Sequence, residues 1–225
     1  MKGETALVRF LLGKGADVEA KCPPWSSPVE TWYTPLQIAV QEGCVEVVEI
    51  LLAADADFRI LNYFGESLIH LAAWGRHFLA QPRVDQRRLK VMKLLEGKID
   101  VRTQCHRGRT ALDVAAHRRK YSTLKYLLGQ VDFTRIQDCR RRNALHCAVD
   151  GGHKDVIISM VAAGFDVSIR DESGASMLHE TIGNWRWRFE DKEKAIETSL
   201  LLVWLGANPM AVNDRGYNAL DMAFS

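Results

Sequence analysis

Thr34-Pro35-Leu36-Gln37 returns five times along the chain. It reads Ser67-Leu68-Ile69-His70, Thr110-Ala111-Leu112-Asp113, Asn143-Ala144-Leu145-His146, Ser176-Met177-Leu178-His179 and finally Asn218-Ala219-Leu220-Asp221. The first residues are spaced by 33, 43, 33, 33 and 42 positions, so the two long intervals are 33 plus 10 and 33 plus 9. A fixed period in this range marks stacked supersecondary units.

The chemistry of the signature supports that reading. Its first residue is always Thr, Ser or Asn, whose side chains accept hydrogen bonds from the orphan amides of a helix start. Pro35 stands where a helix tolerates proline, at its first position. Five residues after the cap come Ala39, Ala72, Ala115, Ala148 and Ala223, with Thr181 in the remaining unit, and a small side chain there lets a neighbouring helix approach closely. Gly65, Gly108, Gly174 and Gly216 lie two residues before the cap, as a turn with positive φ requires. A second apolar segment at helical spacing follows in each full unit, at 45–52, 89–95, 121–128, 155–161 and 195–204. Most end at a turn such as Gly164-Phe165-Asp166 or Gly206-Ala207-Asn208.

This unit of turn, short helix, second helix and turn resembles the ankyrin repeat, whose pattern is T-P-L-H-x-A followed by a second helix and G-A-D. The resemblance covers nearly the whole chain. Trp32 and Arg141 replace the usual glycine, and the turn Gln130-Val131-Asp132 is slipped by one residue. The resemblance implies an all-α solenoid of stacked helix-turn-helix units joined by β-hairpin-like turns. One domain, 1–225, is then expected. It holds a half repeat at 1–20, complete repeats at 21–58, 59–101, 102–133, 134–167 and 168–209, and a half repeat at 210–225. Solenoid ends need polar caps, whereas Ala6, Leu7, Phe10 and Leu11 at one end and Leu220, Met222 and Phe224 at the other are apolar. A piece of a longer array is expected, with end-to-end association as the alternative.

Three insertions interrupt the period, around 22–28, 78–87 and 184–192. Insertions belong in loops, where they cost little closure entropy and often carry function. The last holds Trp185-Arg186-Trp187, residue types enriched at binding hot spots, although both tryptophans can equally fold back on their own repeat.

Partners of ankyrin arrays lie on the concave face, built from turn tips and first helices. Carried onto this chain, that implies a partner-binding set of Tyr33, Tyr63, Phe64, Trp74, His106, Arg107, Arg109, His117, Arg118, Arg140 and Arg142, to which the insertion adds Trp185 and Trp187. One end of the face is aromatic and the middle basic. The net charge of the chain is only +2, yet residues 102–142 carry eleven Lys or Arg against three acids, 11 − 3 = +8. Such a segment is either an acid-binding surface or a solvated face. The aromatic set is either a docking site or a seam within the stack.

The implied function is a scaffold that binds another protein through an acidic or phosphorylated segment. Nucleic acid or anionic lipid on the basic patch is the alternative, as is a targeting module of a larger protein, for example a ubiquitin-ligase adaptor. Catalysis is not expected: G-x-S-x-G, H-E-x-x-H and G-x-G-x-x-G are absent, and Gly13-Lys14-Gly15 lacks the rest of a phosphate loop. No cofactor or small-molecule substrate is implied. Cys139, His146 and Cys147 fit no zinc spacing, and His70, His146 and His179 recur at the repeat period as structural groups. Five cysteines without a paired framework and no run of about 20 apolar residues suit a reducing interior, cytoplasmic or nuclear.

Overall fold

The computed structural model describes residues 2–22, 32–75, 82–187 and 192–224, of which 2–4, 82–84, 184–187 and 224 are described by backbone alone. Most of the first insertion, the start of the second and the middle of the third lie outside the described residues. Twelve helices follow one another with no sheet among the described residues; the extended pairings are two isolated bridges, Cys22 with Tyr33 and Val212 with Asn218. None of these helices is long and apolar enough to cross a membrane.

Two rows of helices build the solenoid. The first helices are α2 (Pro35–Glu42), α4 (Leu68–Trp74), α6 (Ala111–His117), α8 (Ala144–Asp150), α10 (Met177–Trp187) and α12 (Ala219–Phe224). The second helices are α1 (Lys2–Gly13), α3 (Val45–Ala53), α5 (Pro82–Leu95), α7 (Tyr121–Leu128), α9 (Lys154–Ala162) and α11 (Lys192–Trp204). Each first helix packs on the next in chain order, closely where Ala72, Ala115 and Ala148 are fully buried between them. The third signature residues Leu36, Ile69, Leu112, Leu145 and Leu178 are each buried. Burial of one such side chain contributes about 2 kcal/mol.

Helix starts explain the signature. Thr34, Thr110 and Asn143 accept from the amide three residues on, and the fourth signature residue reaches back to the cap amide, a reciprocal capping box. His70 Nδ1 accepts from Ser67 N at 3.2 Å while its Nε2 donates to Arg109 O at 2.9 Å, so one histidine ties its own cap to the next repeat. His179 does the same between Ser176 and Tyr217 O. His146 bonds its cap Asn143, but its Nε2 is buried without a hydrogen-bond partner among the described residues.

The 78–87 and 184–192 insertions differ from the expected loops. The second helix of the second full repeat begins at Pro82 rather than at 89, α11 begins at Lys192, and α10 runs on to Trp187. Part of each insertion thus extends a helix. Pro82 is suited to a first helical position, and Asp85 in the opening turn favours the helix dipole.

Candidate partner-binding face

The turns between repeats project as fingers, and four of them are braced from within by an Asn or Asp side chain. Asn62 Oδ1 accepts from the amides of Phe64 and Glu66. Asp138, Asp171 and Asn213 do the same at equivalent positions, Asp138 for Arg140 and Arg142 at 2.9 Å each. Adjacent fingertips are tied by backbone bonds: His106 N donates to Phe64 O (3.0 Å), Cys139 N to Arg107 O (3.1 Å), Glu172 N to Arg140 O (2.8 Å) and Asp214 N to Ser173 O (3.1 Å). Gly108 permits this approach, because a Cβ there would fall 2.8 Å from Cys139 N. Arg141 takes φ of 59° where four other fingers use glycine, a left-handed turn that costs a non-glycine residue about 1 kcal/mol.

A cleft of about 690 Å³ opens between fingers and first helices of the first three full repeats. Tyr33, Tyr63, Phe64 and Trp74 line it together with His106, Arg107 and Arg109. Seven of the thirteen candidate residues therefore meet around one space. Tyr63, at 66% exposure, meets the Phe64 ring edge-on with centroids 5.4 Å apart. Arg118 is not a lining residue: its guanidinium stacks on Trp74, 3.8 Å from the ring centroid. Gln41, Glu66, Cys105 and Val114 complete the lining. Cys105 and Val114 carry no signal in the sequence as binding residues. Only their place in the period, beside His106 and four after the Thr110 cap, could have found them.

Further along the face the basic residues are spent on internal pairs. Arg142 lies 2.8 Å from Glu180, with side chains only 12% and 15% exposed. His117 Nδ1 is 3.4 Å from Asp150. Arg140 is 67% exposed and reaches Glu172 only at 4.0 Å, and Arg109 approaches Asp138 at 3.9 Å. Arg119 pairs with Asp155 and the buried Lys120 with Asp85. Four of the eleven cations of residues 102–142, Arg119, Lys120, Arg140 and Arg142, thus face acids of a neighbouring repeat. Arg142 is held inside the array rather than presented to a guest. The side chains of Trp185 and Trp187 lie outside the described residues, although their backbone closes α10.

Burial also perturbs the groups beneath the face. Desolvation pushes the Glu180 carboxyl up to about 8, against the pull of Arg142, whose own value is raised by Glu180. The short contact argues for an ionised pair, held against the cost of taking both charges out of water. Asp113, at the position of the histidines, is fully enclosed and raised to about 6 by burial, partly offset by hydrogen bonds from Thr110. Burial lowers His146 to about 4, so its ring is neutral.

A family model described as ankyrin repeats, in three copies, matches residues 1–81 and 77–171. The B-cell lymphoma 3 protein homolog of Mus musculus is 28% identical over 151 residues, which is 67% of this chain and 32% of that protein. The nuclear factor NF-kappa-B p105 subunit of Gallus gallus is 28% identical over 158 residues, 68% of this chain and 15% of that protein. The chain therefore spans a third or less of the length of these relatives. Among solved structures, the ankyrin repeat domain of Bcl-3 superposes with a TM-score of 0.67 at 23% identity, covering 98% of this chain and 88% of that one. An ankyrin repeat domain from Acinetobacter baumannii gives 0.65 at 19% identity, covering 84% and 90%. At these identities the likeness is one of fold.

Proposed function

The chain belongs to the ankyrin-repeat family, and from that premise we propose that it holds a segment of a partner protein on its concave face. The observation that carries this reading is the cleft in which Tyr63, Phe64 and Trp74 meet Arg107 and Arg109. Aromatic and arginine side chains are the types that dominate binding energy at interfaces. The partner segment is acidic or phosphorylated, because a guanidinium grips carboxylate or phosphate through parallel charge-assisted bonds. The role is binding rather than catalysis, in a cytoplasmic or nuclear setting that suits five free cysteines. The same role would serve as the targeting module of a larger protein, such as a ubiquitin-ligase adaptor.

Nucleic acid or anionic lipid on the basic segment is the weaker reading. Of its eleven Lys and Arg, Arg109, Arg119, Lys120, Arg140 and Arg142 lie within 4.0 Å of a carboxylate, which shortens any continuous cationic track. Affinity capture from cell extract, comparing wild type with an Arg107→Glu/Tyr63→Ser variant whose folding is checked by thermal melting, tests the proposal. Partners depleted by the variant and retained after nuclease treatment support it. Equal recovery on both baits removes the cleft from the account.

A further inference from the structure

We infer that the cleft selects a protein segment with one large apolar or aromatic side chain flanked, toward the third full repeat, by a carboxylate. This deepens the protein-binding reading above and rests on it.

The two ends of the cleft differ chemically. Toward the first and second full repeats its polar groups are Gln41 and Glu66, and Glu66 is fixed there by Asn62 Nδ2 at 2.7 Å. A carboxylate seated at that end would face another carboxylate. Toward the third full repeat stand Arg107, which is exposed, and Arg109. The Nε of Arg109 is buried and without a hydrogen-bond partner among the described residues, and its nearest acid, Asp138, is 3.9 Å away. That Nε is closed to a guest, so an incoming carboxylate is met by the exposed Arg107 and by the accessible part of the Arg109 side chain, which is 33% exposed.

Between these ends the wall is apolar. Trp74 is held by Arg118 stacked on it, and Arg118 stands outside the lining, so the ring is fixed from behind rather than blocked. Tyr63, Phe64 and Val114 continue the wall. The space of about 690 Å³ exceeds one side chain and admits an anchor with its backbone. An aromatic anchor has about 150–250 Å² to bury there, which offsets the ordering of the segment.

Selection of displayed random dodecapeptides on the 225-residue chain tests this. Three baits are compared: wild type, Arg107→Glu/Arg109→Glu, and Tyr63→Ser, each checked by thermal melting. Wild type should enrich peptides pairing Phe, Trp or Leu with Asp or Glu at a constant spacing. Recovered peptides, synthesised and titrated by fluorescence polarisation, should bind the charge-reversed protein about tenfold more weakly, which is about 1.4 kcal/mol. Fresh selection on the charge-reversed bait should replace the acids by Lys or Arg and keep the apolar anchor. Tyr63→Ser should reduce enrichment without changing the charge preference. A wild-type pool that is cationic or purely apolar, yet lost on the variants, overturns the inference and leaves concave-face binding standing. Enrichment indifferent to all variants, or none above bare support, overturns both. A pool dependent on phosphate in the buffer, or single-stranded DNA displacing the peptides at equal charge, overturns the carboxylate assignment.

Discussion

Arg142 and Glu180 form a 2.8 Å ion pair that joins the fourth and fifth full repeats and leaves both side chains largely buried. One arginine two residues earlier, Arg140, is exposed. Removing one partner of a buried pair strands the other charge, whereas a rim arginine can be changed at little cost. Glu180→Ala should lower unfolding free energy by about 3 kcal/mol. Arg107→Glu should change it by less than about 0.5 kcal/mol. Urea denaturation of the two variants checks the contrast, and equal losses would show that Arg142 is not committed to the array.

Asp113 occupies a histidine position and is raised to about 6 by burial. Its folded form therefore binds a proton more tightly than the unfolded chain. The stabilisation is complete below the ordinary carboxylate range near 4 and is lost as pH rises through about 6. Asp113→Asn should melt higher than wild type at pH 8, by up to about 3 kcal/mol of stability. The difference should vanish near pH 4. Melting curves across that range check the prediction, and parallel curves would contradict it.

His146 works in the opposite direction. Burial holds it at about 4 in the folded chain, below the unperturbed value of about 6.5. Its contribution is present above about 6.5 and declines as pH falls toward about 4. His146→Gln, matching Gln37 in the first full repeat, should flatten the acid limb of the stability profile between those limits. Unaltered acid sensitivity would assign that limb to other groups.

Trp74 and Arg118 should be energetically coupled. The 3.8 Å stacking distance predicts an interaction of about 0.5–2 kcal/mol. A double-mutant cycle with Trp74→Leu and Arg118→Gln measures it directly. Additive losses would reduce the stack to mere proximity.

Burial of the signature leucines differs along the chain, with Leu145 fully buried and Leu220 at 64% exposure. Leu145→Ala should cost about 3 kcal/mol and leave a cavity. Leu220→Ala should cost under about 0.5 kcal/mol. Similar destabilisation at both sites, by urea titration, would mean that the two helices do not differ in packing as described.

The fold was legible because each signature residue answers a local demand: a cap for amides, a leucine for the contact, an alanine for approach. Those demands repeat, so the period announces them. The aromatic part of the candidate site was legible for the same reason, since Tyr63, Phe64 and Trp74 hold positions defined by the cap at Ser67. The fate of the arginines was not. Arg140 and Arg142 look alike in a basic trio, but one sits on a fingertip and the other directly precedes the Asn143 cap, from which it crosses onto α10. Only the three-dimensional offset between neighbouring repeats brings Glu180 there. The insertions misled for a related reason: Pro82 and Asp85 are helix-start signals, but they fall in a stretch whose extra length against the period reads as a loop.

The backbone ties between fingertips have a mechanical consequence. Because His106 bonds Phe64 and Cys139 bonds Arg107 through main-chain atoms, the gap from one finger to the next behaves as a caliper with its jaws locked. A guest that wants a wider or narrower span must break a backbone hydrogen bond of the host to get it. The adjustment therefore falls on the guest, and length becomes a property this surface can measure as well as charge.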